Sequence, residues 1–172
     1  VFAIVTIYED LNRNATIQNI ADLDIAALQE ETADQIPNPY TQVSSLEEAA
    51  KITGFSVTVP DAPEDHPVRI IRVMNQEMIE VIYADRTDGT TEDNGEDYRI
   101  RKASGTEDIS GDYNDYENTE TRTIGDYEVA LKGNDGNCSV AVWNYGGCSY
   151  AVDAQDSPLS LDAVTEIIRA VK

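Results

Sequence analysis

Between Tyr127 and Val152 the chain carries three short runs of strand-forming residues, YEVALKG, SVAVW and CSYAV, split by the turn sequences NDG and NYGG. Asn, Asp and Gly accept the positive φ that tight turns demand, so short runs divided this way predict antiparallel hairpins. The segment after them, SLDAVTEIIRAVK, spaces Leu161, Val164, Ile168 and Val171 along one helical face. Ser160 is placed to cap that helix, Asp162 lies in its first turn, and Arg169 and Lys172 lie in its last. The pattern describes an antiparallel sheet with a helix laid upon it.

Upstream, Ser44 or Ser45 followed three residues on by Glu47 or Glu48, then Ala49, Ala50 and Ile52, with Gly54 to terminate, predicts a well-capped helix. Strands are predicted at 55–59, at 68–73 against 78–83, at 98–103 and at 121–124. A turn at Asn75-Gln76 pairs Ile70 with Val81, Val68 with Tyr83 and Val73 with Met78. The stretch 85–97 reads as an acidic, glycine-punctuated loop at an exposed hairpin tip. About eight antiparallel strands with a helix before and after them give an α+β class: a curved antiparallel sheet with its helices packed on one face. Two prolines, Pro37 and Pro39, break the chain before this domain. Residues 1–36, a strand over Val1–Tyr8 and a helix over 16–33, then read as an N-terminal extension or stalk, and 37–172 as one α+β domain.

The charge balance restricts partners. With 33 acidic residues against 12 Lys and Arg, the net charge is −21. Nucleic acids and anionic membrane surfaces need a positive patch, so neither is an expected partner of the domain. The longest apolar run, Val1–Tyr8, is too short to cross a bilayer. The two cysteines, Cys138 and Cys148, match no zinc pattern. A hairpin turning at Tyr145-Gly146 sets Trp143 opposite Cys148 and Ala141 opposite Tyr150. Cys138 then lies too far along its strand, and on the wrong face, for a disulfide.

Few residues suggest chemistry. His66, the sole histidine, lies in a DHP turn and reads as a solvated side chain. Glu80 and Glu128 are the only acids flanked by core residues, and alternation turns both to solvent; a hydrolase using paired carboxylates needs an acid in an apolar pocket and ranks third among functions. No cofactor is expected, and calcium is the one metal the composition admits. Its ligands would come from Asp85, Asp88 and Asp93 in one acidic loop and Asp112 and Asp115 in another, although neither loop has an EF-hand frame. Tyr98, Trp143, Tyr145 and Tyr150 are the candidate ligand-contacting residues, since tyrosine and tryptophan combine an apolar body with a polar tip.

PNPY at 37–40, SLEEAAKITGFSVTVP at 45–60, MIEVIY at 78–83, IRKASGTEDISGDYN at 100–114 and the VALKG, AVW and GGCSY runs carry a resemblance. Together they look like a bacterial extracytoplasmic domain-of-unknown-function family. It occurs in secreted lipoproteins of Gram-positive bacteria and in the outer, C-terminal part of anti-sigma-factor-like proteins. The resemblance spans 37–172, is most specific at IRKA…EDISGDYN, and extends distantly to the half-barrel of periplasmic lipoprotein carriers. It implies a half-barrel-like sheet in an exported domain tethered at its N-terminus, and brings no functional residues. The function expected is a non-enzymatic extracytoplasmic binding or sensing module at the cell surface, its partner a protein, peptide, glycan or lipid. The alternative is a protein-interaction domain acting by strand addition without a small ligand.

Overall fold

The computed structural model of the chain describes residues 38–85 and 98–172, within the compact unit Asn38–Lys172. The strand, helix and domain boundary predicted in residues 1–37 and most of the acidic loop after Asp85 lie outside the described residues. In chain order the elements are β1 (Tyr40–Val43), α1 (Leu46–Thr53), β2 (Val68–Met74), β3 (Met78–Ala84), β4 (Tyr98–Ser104), β5 (Asn118–Ile124), β6 (Tyr127–Gly133), β7 (Asn137–Cys138), β8 (Val140–Tyr145), β9 (Cys148–Asp153), β10 (Leu159–Ser160) and α2 (Leu161–Ala170). Eight strands form one open sheet in the order β1-β2-β3-β4-β9-β8-β6-β5. Every neighbouring pair is antiparallel. The α+β expectation holds, with a small second sheet of β7 and β10 beside the first.

Local signals set the helices. Ser45 caps α1 by accepting from the Glu48 amide at 3.1 Å, while the Glu48 carboxylate reaches back to Ser44. Gly54 ends the helix in the left-handed region. Ser160 caps α2 in the same way, accepting from Ala163. Both helices pack on one face of the sheet, where Ala49, Val164 and Ile168 meet Val73, Val81, Ile100, Val129 and Val152. Residues 55–59 form no strand of the sheet; instead Thr58 exchanges two backbone hydrogen bonds with Lys172, at 2.9 and 3.1 Å.

The register differs from expectation in both hairpins. The β2–β3 turn holds three residues, Asn75 to Glu77, because Asn75 and Gln76 both take positive φ and Met74 pairs with Met78. Ile71 therefore faces Val81, and Ile70 faces Ile82. The extra residue changes every cross-strand partner. In the β8–β9 hairpin, Tyr145 pairs with Cys148, which sets Trp143 opposite Tyr150 and Ala141 opposite Val152.

Strand order is not chain order at one place. After β4 the chain crosses to the far edge, runs β5, β6 and β8 back, and sets β9 against β4. The crossing segment, 105–117, travels over the face opposite the helices. Its Ser110 and Ile109 carbonyls accept from Arg101 Nη1, and its Asp108 and Asp112 lie 3.9 and 4.0 Å from Lys132 Nζ. Gly111, at φ +67°, passes so near Arg101 that a Cβ there would sit 3.3 Å from the guanidinium. Asp108 and Asp112 also bind Ser110 and Asn114 within the segment. The most specific run of the sequence resemblance is thus the segment that clasps this face of the sheet.

Candidate functional site

The four aromatic candidates fall in two places. Trp143 and Tyr150 stack at 5.2 Å between centroids and belong to the core beneath the helices. Tyr127 links them to Tyr145, which is 52% exposed at the end of its hairpin. Lys102 also lies on this face, its ammonium donating to the Ser56 carbonyl and lying over the Tyr150 ring at 5.0 Å. Trp143 and Tyr150 are packing residues. Tyr98 is elsewhere, at the start of β4, and it lines a cavity.

That cavity, about 260 Å³, opens between α2 and the 60–66 loop. Alternation along β3 and β4 directs Tyr83 and Tyr98 to the helix side, and the register pairs them directly. Their rings stack at 4.7 Å, and His66 meets Tyr98 edge-on at 5.3 Å. A turn in which the His66 amide donates to the Pro63 carbonyl carries the imidazole inward. The Tyr83 hydroxyl donates to the Pro60 carbonyl at 2.6 Å, fixing the loop over the sheet. Ala163 and Ile167 of α2 supply the other wall, and Asp61 and Asp65 complete the lining. Burial pushes the Tyr83 phenol up to about 12, against the nearby Arg69. Burial raises Tyr98 as well, with Tyr83 and Asp65 adding to it. Both hydroxyls stay protonated at neutral pH.

Two side chains are buried where the sequence predicts exposure. His66 is not a solvated side chain but 7% exposed, with Nδ1 3.4 Å from Asp65 Oδ1. Proline on either side of the 60–66 loop holds it against Tyr98, which a reading of loops as exposed overlooks. Glu80 is completely buried on the face opposite the helices. It lies between Arg72 and Arg101 in the register, binds Arg72 Nε through one oxygen, and accepts from Arg101 Nε at 2.7 Å through the other. Arg101 and Arg99 continue the network to Asp153, at 3.3 and 3.4 Å. The signal was present as charges placed on three adjacent strands, and the one-residue error in register hid it. Glu128 is exposed, as expected.

The acidic candidates are dispersed. Asp85 is exposed after β3, while Asp88 and Asp93 lie outside the described residues. The Asp112 side chain is fully buried and faces Lys132, with its other oxygen taken by Asn114 and Tyr116. Asp115 lines a separate polar trough with Asn134 and Gln155. Among the described residues no group of three or more His, Cys, Asp or Glu side chains is arranged to hold a metal ion.

An open antiparallel sheet with two helices on one face, and a small cleft lined by Tyr98 and His66 beside α2, define an α+β domain. Residues 63–171 match the family described as Domain of unknown function (DUF4367), and the chain belongs to that family. No curated protein and no solved structure matches it. The match begins within the 60–66 loop, later than the 37–172 expected, and takes in His66, Tyr98 and the crossing segment.

Proposed function

We propose that this domain is a non-enzymatic extracytoplasmic binding module whose cleft beside His66 and Tyr98 receives one apolar group carrying a positive charge, such as a basic or aromatic amine side chain presented by a surface partner. The observation that carries the reading is the lining of the cleft. The aromatic ring of Tyr98 borders it and can attract a cation, the α2 wall is apolar, and Asp61 and Asp65 supply negative charge beside it. At about 260 Å³ the space lies just below the usual range for whole small ligands, roughly 300–1,000 Å³, and suits a single side chain. The net charge of −21 steers cations toward the domain and anions away. Placement outside the cytoplasm, on a tethered lipoprotein or anti-sigma-factor-like protein, rests on the sequence resemblance. A carboxylate hydrolase has less support, because both carboxylate oxygens of the buried Glu80 are occupied by arginines.

The reading is tested with two probes that share a ring and differ in charge. Tryptamine should perturb the NMR resonances of His66, Tyr98 and Ala163, while indole-3-acetate should not. Ala163→Phe, which fills the cleft, should abolish the response. Equal responses to both probes, none to either, or a tryptamine response that survives Ala163→Phe would refute it.

A further inference from the structure

The two edges of the sheet are unlike. β1 is four residues long. β5 is seven, paired with β6 along its whole length on one side, and every residue but Ile124 is exposed. Among the described strands none lies beyond it. Edge strands usually carry a device against pairing: proline, a bulge, a covering loop, very short length or charged side chains. β5, NTETRTI, has regular register, no proline or glycine, and β-branched residues at 119, 121, 123 and 124. Of these devices it carries only the charges of Glu120 and Arg122.

Those charges say with what it can pair. Glu120 and Arg122 share the helix-side face, where they touch at 2.8 Å, each 46% exposed. Thr119, Thr121 and Thr123 share the other. Antiparallel pairing of β5 with itself about a two-fold axis at Thr121 sets Glu120 opposite Arg122, Arg122 opposite Glu120, and Thr119 opposite Thr123. Both charged pairs become cross-strand pairs and no charge is left unmatched. A slip of two residues either way sets Glu120 opposite Glu120 or Arg122 opposite Arg122, so the charges also select the register.

We propose that β5 is a homodimerisation edge, and that two copies of this chain join through Asn118–Ile124, centred on Thr121, into one continuous sheet. The partner is a second copy because the strand is complementary to itself. The net charge of −21 on each copy opposes the encounter. That repulsion acts over long distances and is screened beyond about 8 Å at physiological salt, whereas the contact pairs persist.

Sedimentation velocity of the full chain at physiological salt is the test. The wild type should show a concentration-dependent monomer–dimer equilibrium. E120R and R122E should each weaken it about tenfold or more, since each sets two like pairs face to face. Neither change should alter the melting temperature of the monomer appreciably, because both side chains are half exposed. An equimolar mixture of E120R with R122E should dimerise again, as should the double variant E120R/R122E. A wild type that is monomeric at every concentration overturns the proposal and leaves the edge to a foreign strand. Dimers indifferent to single charge reversal, or a mixture that fails to recover, overturn it equally.

Discussion

Arg101 joins two parts of the chain that are not neighbours in sequence: its Nε binds the buried Glu80 carboxylate at 2.7 Å, and its Nη1 binds the carbonyl of Ser110 in the crossing segment. One guanidinium ties the middle of the sheet to the loop that covers it. Arginine suits this position because its planar fork offers several donors in fixed directions.

Replacing Glu80 with Gln takes from Arg72 its buried counter-charge and leaves Arg101 with Asp153 alone. Removing one member of a buried ion pair costs about 3–5 kcal/mol. The midpoint of urea unfolding should fall accordingly with little change in slope, and an E80Q variant as stable as wild type would mean that the network is not a source of stability.

Gly133 ends β6 where the backbone of the next turn returns against it. A Cβ there would lie 1.9 Å from the Asn137 carbonyl oxygen, and no side chain can move aside to admit it. Gly133→Ala should therefore destabilise by about 1–3 kcal/mol or more, the usual range for overpacking. Thermal melts of the variant and of the nearby G136A control, where no atom lies within 4 Å but φ is +76°, separate a steric clash from backbone strain.

Burial pushes the Cys138 thiol from its ordinary 9.0 up to about 11, against the backbone of Lys132 and Val140. Tyr83 rises from 10.0 to about 12, chiefly by burial. The folded state holds both protons more tightly than the unfolded state does, so the stability these two groups contribute is present in full below pH 9 and is lost as pH rises through the window from 9 to 12. Chemical denaturation across that window should show the decline, and Cys138→Ala should flatten its first part. Cys138 should also resist alkylation at neutral pH, since the thiolate is the nucleophile. Both cysteines are free, and a non-reduced digest should yield no Cys138–Cys148 peptide.

With 33 acids against 12 bases, self-repulsion works against the compact state. Moving from low to physiological ionic strength should raise the melting temperature. A fall or no change would show that local pairs such as Arg101–Glu80, rather than the overall field, dominate the electrostatics.

What the sequence reveals here divides by range. Ser45, Glu48 and Gly54 act within four residues of one another, and the helix they bound is where they predict it. The central strands β2, β3, β4, β6, β8 and β9 were equally legible, because alternation of apolar residues is local, whereas β1 and the first half of β5 lack that alternation and 55–59 forms no strand. Register was not: whether Asn75-Gln76 or Asn75-Gln76-Glu77 makes the turn depends on two residues accepting positive φ, and that single residue decides whether Arg72 faces Glu80. The ion network was lost with it. His66 was misplaced for a related reason, since its burial depends on α2 and β4, both distant in sequence. Of the residues lining the cleft only Tyr98 stands out in the sequence as a ligand contact, and Trp143, Tyr145 and Tyr150 belong to another part of the same face.

The strand order carries a kinetic consequence. β1 to β4 form one meander and β5, β6, β8 and β9 another, each built from neighbours in the chain, and only the β4–β9 ladder joins them. Apart from β1–β2, the ladders within each meander close shorter loops, whereas the β4–β9 ladder brings Arg99 to Asp153 across more than fifty residues. Distant contacts form late because their loop entropy must be met first. Folding should thus proceed as two half-sheets that zip together along β4 and β9, with Arg101, Asp153 and Ser110 as the teeth. The same seam marks where the polypeptide can be divided: fragments cut within the crossing segment should each keep a meander and recombine into the whole.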